Sequence, residues 1–224
     1  MNQNTESRET EFYRRNEKKP LFNIIKRIAD VVLSGILLLF FSPVFLMIAV
    51  AIKLEDGGPV IYRHSRIGKC GRPILVLKFR TMRPHAERLE EYLNPEQMEE
   101  YRREFKLEDD PRITKTGRFL RATSLDELPQ FLNILKGDMS LVGPRPLVRN
   151  ELMDKYRKAE REKLLSVKPG LTGLWQVSGR NHCTYQNGER QRVELSYIER
   201  QSFLLDITIF CKTVLVVFRK EGAW

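Results

Sequence analysis

From Val31 to Ile52 the chain runs for 22 residues without a charge, rich in Leu, Ile, Phe and Val. As a helix, such a run is long enough to cross the hydrocarbon of a bilayer, which sets this segment apart from the polar sequence around it. A secretory signal has an apolar stretch of about 7–15 residues close to the start. Here the stretch is longer and begins after thirty residues, although Ala49-Val50-Ala51 has the form of a cleavage site. Near its middle stands Ser42-Pro43. Proline removes a helix hydrogen bond and clashes with the preceding turn, so it bends the helix. The neighbouring serine hydroxyl can satisfy a carbonyl locally, which makes the break tolerable in lipid. Both flanks are cationic, with Lys18, Lys19, Lys26 and Arg27 before the run and Lys53, Arg63, Arg66 and Lys69 after it. Positive charge tends to stay on the cytoplasmic side, so break and flanks together favour a re-entrant hairpin helix. A straight span is the alternative. Asp30 would be costly in hydrocarbon and is expected at the interface, paired with Lys26 or Arg27 on the same helix.

The rest of the chain reads as a globular cytoplasmic domain. Charged residues make up 30% of the sequence, and the formal net charge is +10. Glu87 to Asp110 carries a net −6, so everything else carries +16. Seven cations lie between Val60 and Ala86 without one carboxylate, and Arg112, Lys115, Arg118 and Arg121 precede the next acid, Asp126. Such a distribution suggests an anionic partner: nucleic acid, anionic lipid or a phosphorylated substrate. A nucleic-acid-binding protein tethered to a membrane would need stacking aromatics or a base-reading motif beside these cations, and the sequence offers neither. Cys70, Cys183 and Cys211, with His64, His85 and His182, show no metal-ligand spacing, and the odd cysteine count argues against a disulfide framework.

The expected fold class is α+β, mostly helical. Residues 1–20 are polar and expected to be disordered, 21–53 form the membrane helix, 54–202 the cytoplasmic domain, and 203–224 an interfacial or core helix. After the turn Asp56-Gly57-Gly58-Pro59, Val60–Ile67 and Ile74–Met82 read as two strands of a hairpin. Leu75, Leu77 and Phe79 alternate with Val76, Lys78 and Arg80, so one face is apolar and the other ends in cations. Glu87–Leu107 reads as a charged surface helix broken at Asn94-Pro95. Ser124 with Glu127 matches a capping box that starts a helix, and Lys136-Gly137 matches its end. One further helix is expected over Asn150–Ser166.

The candidate chemistry lies at Asp126-Glu127, among arginines 118, 121 and 145. Two acids at a helix start have an ordinary role in complementing the helix dipole. Arginines on rigid loops, however, are suited to bidentate phosphate recognition. A carboxylate can attack phosphorus to form an acyl-phosphate, provided cations or a metal neutralise the phosphates it approaches.

The segments KRIADVVLSGILLLFFSPVFLMIAVAIKLEDGGPVIY, KFRTM, DPRITKTGRFLRATSLDELPQFLNILKGDMSLVGPRP and KPGLTGLWQVSGRN resemble the bacterial sugar transferases. These are monotopic phosphoglycosyl transferases that begin exopolysaccharide, capsule, O-antigen or glycoprotein glycan synthesis. The resemblance runs from Lys26 to the C-terminus. It implies transfer of a sugar-1-phosphate from a UDP-sugar to polyprenyl (undecaprenyl) phosphate, with release of UMP. Asp126 would be the nucleophile of a ping-pong mechanism, and Glu127 its partner in holding Mg²⁺ or deprotonating the lipid phosphate, with Asp126 the other candidate metal ligand. Lys78, Arg80, Arg118, Arg121, Arg145 and Arg180 would bind phosphate or substrate. Ser42 and Pro43 would be the helix break of a re-entrant segment in the bacterial inner membrane, the catalytic domain facing the cytoplasm. The sugar is not legible in these motifs. A contact of Trp175 with uracil or sugar and its burial as core are both open, as is a homodimer. A non-catalytic membrane scaffold is the reading in which Asp126 would be dispensable.

Overall fold

The uncharged run folds as two helices, α1 (Pro20–Phe40) and α2 (Ser42–Asp56), bent by 60° at Phe41. The computed structural model describes residues 20–104, 107, 110–178, 185 and 187–219. Among them no single helix is long and apolar enough to cross a membrane; the bent pair passes on length and composition together. Pro43 sits in the first turn of α2, where its missing N–H costs no hydrogen bond. Ser42 Oγ donates to the Leu39 carbonyl at 2.7 Å, in keeping with a break satisfied by its own serine. Gly57, at φ 70°, closes α2.

Strands β1 (Ile61–Ile67) and β2 (Pro73–Phe79) form the expected antiparallel hairpin, with Tyr62 opposite Lys78 and His64 opposite Val76. The second strand ends at Phe79 rather than Met82, because Met82 pairs with Ile113 instead. Val76 is buried whereas Leu75 is 52% exposed. The face that carries Tyr62, His64 and Lys78 is therefore partly covered, and the simple apolar–polar alternation fails. Helices α3 (Leu89–Tyr92) and α4 (Pro95–Glu104) are separated at Asn94, as the Asn-Pro pair requires.

Helix α5 (Lys115–Thr123) starts at Thr114, whose side chain accepts the Gly117 N–H. A short turn then leads to α6 (Gln130–Lys136), which ends at Gly137 with φ 92°. Strand β3 (Ser140–Val142), helices α7 (Arg149–Lys155) and α8 (Lys158–Leu164), and strand β4 (Gly170–Thr172) follow. The single helix expected over Asn150–Ser166 is thus two. Tyr156, extended and 3% exposed, breaks it by turning its ring into the core. The parallel pairing of β3 with β4 has no counterpart in the sequence reading. It brings backbones so close that a Cβ on Gly170 would lie 2.1 Å from Gly143 N. Helices α9 (Leu174–Val177), α10 (Glu189–Arg200) and α11 (Phe203–Arg219) complete the described chain.

Polar residues on α1 fasten it to this body. Arg27 donates to the Ile134 and Leu135 carbonyls at the end of α6, at 2.5 and 2.8 Å. Lys26 Nζ lies 2.5 Å from Asp206 on α11. Asp30, 4% exposed, accepts the Leu141 N–H at 3.0 Å. The expected pairing of Asp30 with Lys26 or Arg27 is therefore corrected. A buried carboxylate needs a directed donor, which the start of β3 supplies, and each cation has a partner of its own. Asn133 of α6 plays the same fastening role for the hairpin: its amide donates to Leu75 O at 2.7 Å and its carbonyl accepts Leu77 N–H at 2.9 Å, closing the free edge of β2.

Candidate active site

Ser124 does not begin a helix. It adopts the left-handed conformation, φ 57°, as the residue that ends α5, and its side chain caps nothing. A 3₁₀ turn, Leu125–Glu127, and Pro129 separate it from α6. The two acids therefore occupy a tight turn between helices, and the dipole of a long helix does not explain their state. The turn buries Asp126 and leaves the Glu127 side chain 32% exposed.

Lys78, one residue from the end of β2, reaches both. Its Nζ lies 2.7 Å from Glu127 Oε1 and 3.5 Å from Asp126 Oδ2. Burial pushes the Asp126 carboxyl above the usual aspartate range, with the Glu127 charge adding to it; Lys78 and Arg121 pull the other way. Arg121 Nε donates to Thr81 Oγ1 at 3.0 Å, and its charge acts on Asp126 from the last turn of α5. The arrangement is a buried carboxylate flanked by an ammonium and a guanidinium, beside a second, more exposed carboxylate.

The other expected site residues divide. Arg80 is withdrawn from the site: it is 7% exposed and forks onto both oxygens of Asp56, with further bonds to the Pro59 and Met82 carbonyls. Lys78 and Arg80 are two positions apart, but Arg80 falls just beyond the end of β2, where its guanidinium pins the end of α2 instead of meeting the acid pair. Arg118 is exposed on α5. Arg145 lies in the Gly143–Pro146 loop after β3, its guanidinium 5.6 Å from the centre of the Trp175 ring. Trp175 is 8% exposed, packed beneath arginine side chains. Arg180 lies outside the described residues, as do residues 1–19.

Two neighbours escaped the sequence reading. His64 and Arg66 share a face with Lys78, since His64 lies two positions from Tyr62, the partner of Lys78. Drawing the hairpin register would have found them. Burial, then the charges of Arg66, Lys78 and Arg145, push the His64 pKa down to about 4, so its ring is neutral at physiological pH.

Among the described residues no three His, Cys, Asp or Glu side chains converge as a metal cage. Asp126 and Glu127 supply two carboxylates at most. That suits a hard cation that takes one or two protein carboxylates and completes its shell with phosphate oxygens and water.

A lysine-bridged acid pair with a guanidinium acting on its buried member fits a phosphoryl-group transferase. The chain belongs to the bacterial sugar transferase family, whose model matches residues 21–220. It is 45% identical over 209 residues to the exopolysaccharide production protein ExoY of Rhizobium meliloti, covering 92% of this chain and 91% of that protein. It is 46% identical to the undecaprenyl-phosphate galactose phosphotransferase of Salmonella typhimurium, over 93% of this chain but 44% of that protein. It is likewise 42% identical to the UDP-glucose:undecaprenyl-phosphate glucose-1-phosphate transferase of Escherichia coli, over 90% of this chain and 42% of the relative. The chain thus spans most of one relative and less than half the length of the other two.

Proposed function

We propose that this protein moves a sugar-1-phosphate from a UDP-sugar to polyprenyl phosphate, undecaprenyl phosphate in most bacteria, and releases UMP. The observation that carries the reading is the buried Asp126 carboxylate, held beside Glu127 by Lys78. The Salmonella relative is named as an undecaprenyl-phosphate galactose phosphotransferase, the Escherichia relative as a UDP-glucose:undecaprenyl-phosphate glucose-1-phosphate transferase, and the ExoY relative for exopolysaccharide production.

In the first half-reaction an Asp126 oxygen attacks the β-phosphorus of the donor. The bond from that phosphorus to the bridging oxygen breaks, UMP leaves with the electron pair, and an aspartyl phosphosugar remains. In the second, an oxygen of the lipid phosphate attacks the same phosphorus and returns Asp126 as a carboxylate. Lys78 and Arg121 supply fixed positive charge where negative charge gathers, which is worth more in a half-buried site than in water. Glu127, the more exposed acid, accepts the proton of a lipid phosphate that arrives as a monoanion. Mg²⁺ held by Asp126 and Glu127 would neutralise donor phosphate charge.

The α1–α2 pair would lie in the inner membrane as a re-entrant hairpin, with both substrates reached from the cytoplasmic face. Supporting this, Leu39, Phe40, Leu46, Met47 and Leu54 are exposed on that pair, and Leu204, Ile207 and Leu215 on α11 add a second apolar face. The test is UMP release from a panel of UDP-sugars, with polyprenyl phosphate and Mg²⁺ present. Asp126→Asn should insert in membrane, fold and release none; undiminished turnover removes Asp126 from the mechanism.

A further inference from the structure

Beyond the acid pair, the guanidinium of Arg190 is stacked between two rings, 4.1 Å from the centre of Trp175 and 4.2 Å from that of Tyr185. Stacking covers both faces of the planar group, so only its edge, where all five donors lie, is left to bond. Its side chain is 11% exposed, yet Nε and Nη2 find no acceptor among the described residues. Glu151 Oε1 lies 3.2 Å from Nη2 but outside hydrogen-bond alignment, and it already accepts the Tyr185 hydroxyl at 2.8 Å. Orphaned buried donors are costly, so such a group marks a place where something else binds.

The surroundings carry excess positive charge. Arg66, 16% exposed, is 3.8 Å from Glu151, too long for a hydrogen bond, and Arg145 shares the Trp175 ring with Arg190. Among the described residues, Glu151 and Glu194 are the carboxylates set against these three arginines. Glu194 is 1% exposed and faces the Arg145 backbone N–H at 3.3 Å. Burial pushes its pKa up to about 7, so near neutrality it supplies only part of a negative charge. The cluster also adjoins the acid pair, since the charges of Arg66, Arg145 and Lys78 all act on His64.

We propose that Arg66, Arg145 and Arg190 form a second anion subsite beside the Asp126–Lys78 centre, holding a phosphate monoester dianion on the stacked edge of Arg190. The inference rests on the transferase reading above, which supplies two sources of that group: the phosphate of the leaving UMP and the headgroup of the polyprenyl phosphate. Glu194 and Glu151 are positioning residues, the first for the Arg145 loop and the second for Tyr185.

Calorimetric titration of UMP into the purified Asp126→Asn protein, which is expected to bind without turnover, tests it. Adding Arg190→Gln should weaken UMP binding at least tenfold, and Arg190→Lys nearly as much, because an ammonium cannot replace the fork. The KM for polyprenyl phosphate of the single Arg190→Gln variant should stay within twofold. If instead UMP binding holds and that KM rises tenfold, the subsite serves the lipid phosphate. Changes under twofold in both, with an unaltered melting temperature, overturn the subsite. Should Arg190 variants not fold, Arg66→Gln carries the same comparison. Failure of the transferase reading is seen separately, as absence of UMP release by the wild-type protein from every UDP-sugar in the panel.

Discussion

Arg80 on the hairpin grips Asp56 at the end of α2 through both carboxylate oxygens, two residues along the strand from Lys78. Lys78 near the end of β2 thus holds the acid pair, and Arg80 just past that end holds the apolar helix pair. The acid pair and the bent apolar helices are therefore anchored two residues apart in the chain.

Breaking that grip should unseat both. Arg80→Ala leaves Asp56 without the guanidinium that keeps its carboxyl below the usual range. Loss of one partner from a largely buried pair costs about 2–3 kcal/mol, discounted for the partial exposure of Asp56. Thermal denaturation in detergent should show a melting temperature lower by about 4–12 °C, at about 2–4 °C per kcal/mol for a chain of this size. Arg80→Lys should recover only part of it.

Asp126→Asn is expected to be inactive and more stable. The folded-state pKa of Asp126 is raised, so the native protein keeps a proton that the unfolded chain has already released. Wild-type stability is therefore fullest below the ordinary aspartate pKa and declines as pH rises through the elevated one. The asparagine variant lacks that decline. Its melting temperature should exceed the wild type's above this window and match it below, a pattern typical of a site that sacrifices stability for chemistry.

Lys78→Gln removes the cation nearest both acids. Removing one preorganised charge from a polar transition state costs about 100–1000-fold in turnover. Because Lys78 lowers the Asp126 pKa, the acid limb of the pH–rate profile for UMP release should also move to higher pH. An unshifted limb with reduced rate would assign Lys78 to substrate binding alone.

Asn133→Leu tests the fastening of β2. The variant leaves the Leu77 N–H and the Leu75 carbonyl without their partner. Each orphaned backbone group costs about 1–3 kcal/mol, so a loss of about 2–6 kcal/mol in stability is expected by denaturant titration. Faster amide exchange at Leu77 would localise the effect.

Cysteines placed at Asn4 and Lys69, in a background lacking the native three, report topology. A re-entrant α1–α2 hairpin puts both on one side of the membrane, accessible to the same impermeant reagent. Labelling from opposite sides would mean a straight span.

The break at Ser42-Pro43, the hairpin, the Asn94-Pro95 interruption and the Gly137 helix end were legible in sequence, because proline, glycine and alternation act through local sterics. So was the nearness of Arg121 to Asp126 and Glu127, since a turn keeps neighbours together, whereas Lys78, which bonds both acids from β2, was not. What no local rule reaches is partner choice over distance. Arg80 and Lys78 look alike along the strand, and only the packed fold gives one to Asp56 and the other to Glu127. Asp30 bonds Leu141 rather than the lysine four residues before it, because burial made a backbone donor the nearer remedy. The β3–β4 pair, three residues a side, is too short to leave a pattern. Sequence determined which acids, cations and apolar residues this chain carries and where its helices break; the tertiary structure decided which carboxylate is buried, which cation meets it and which arginine edge stays open, because desolvation exists only once the chain has packed.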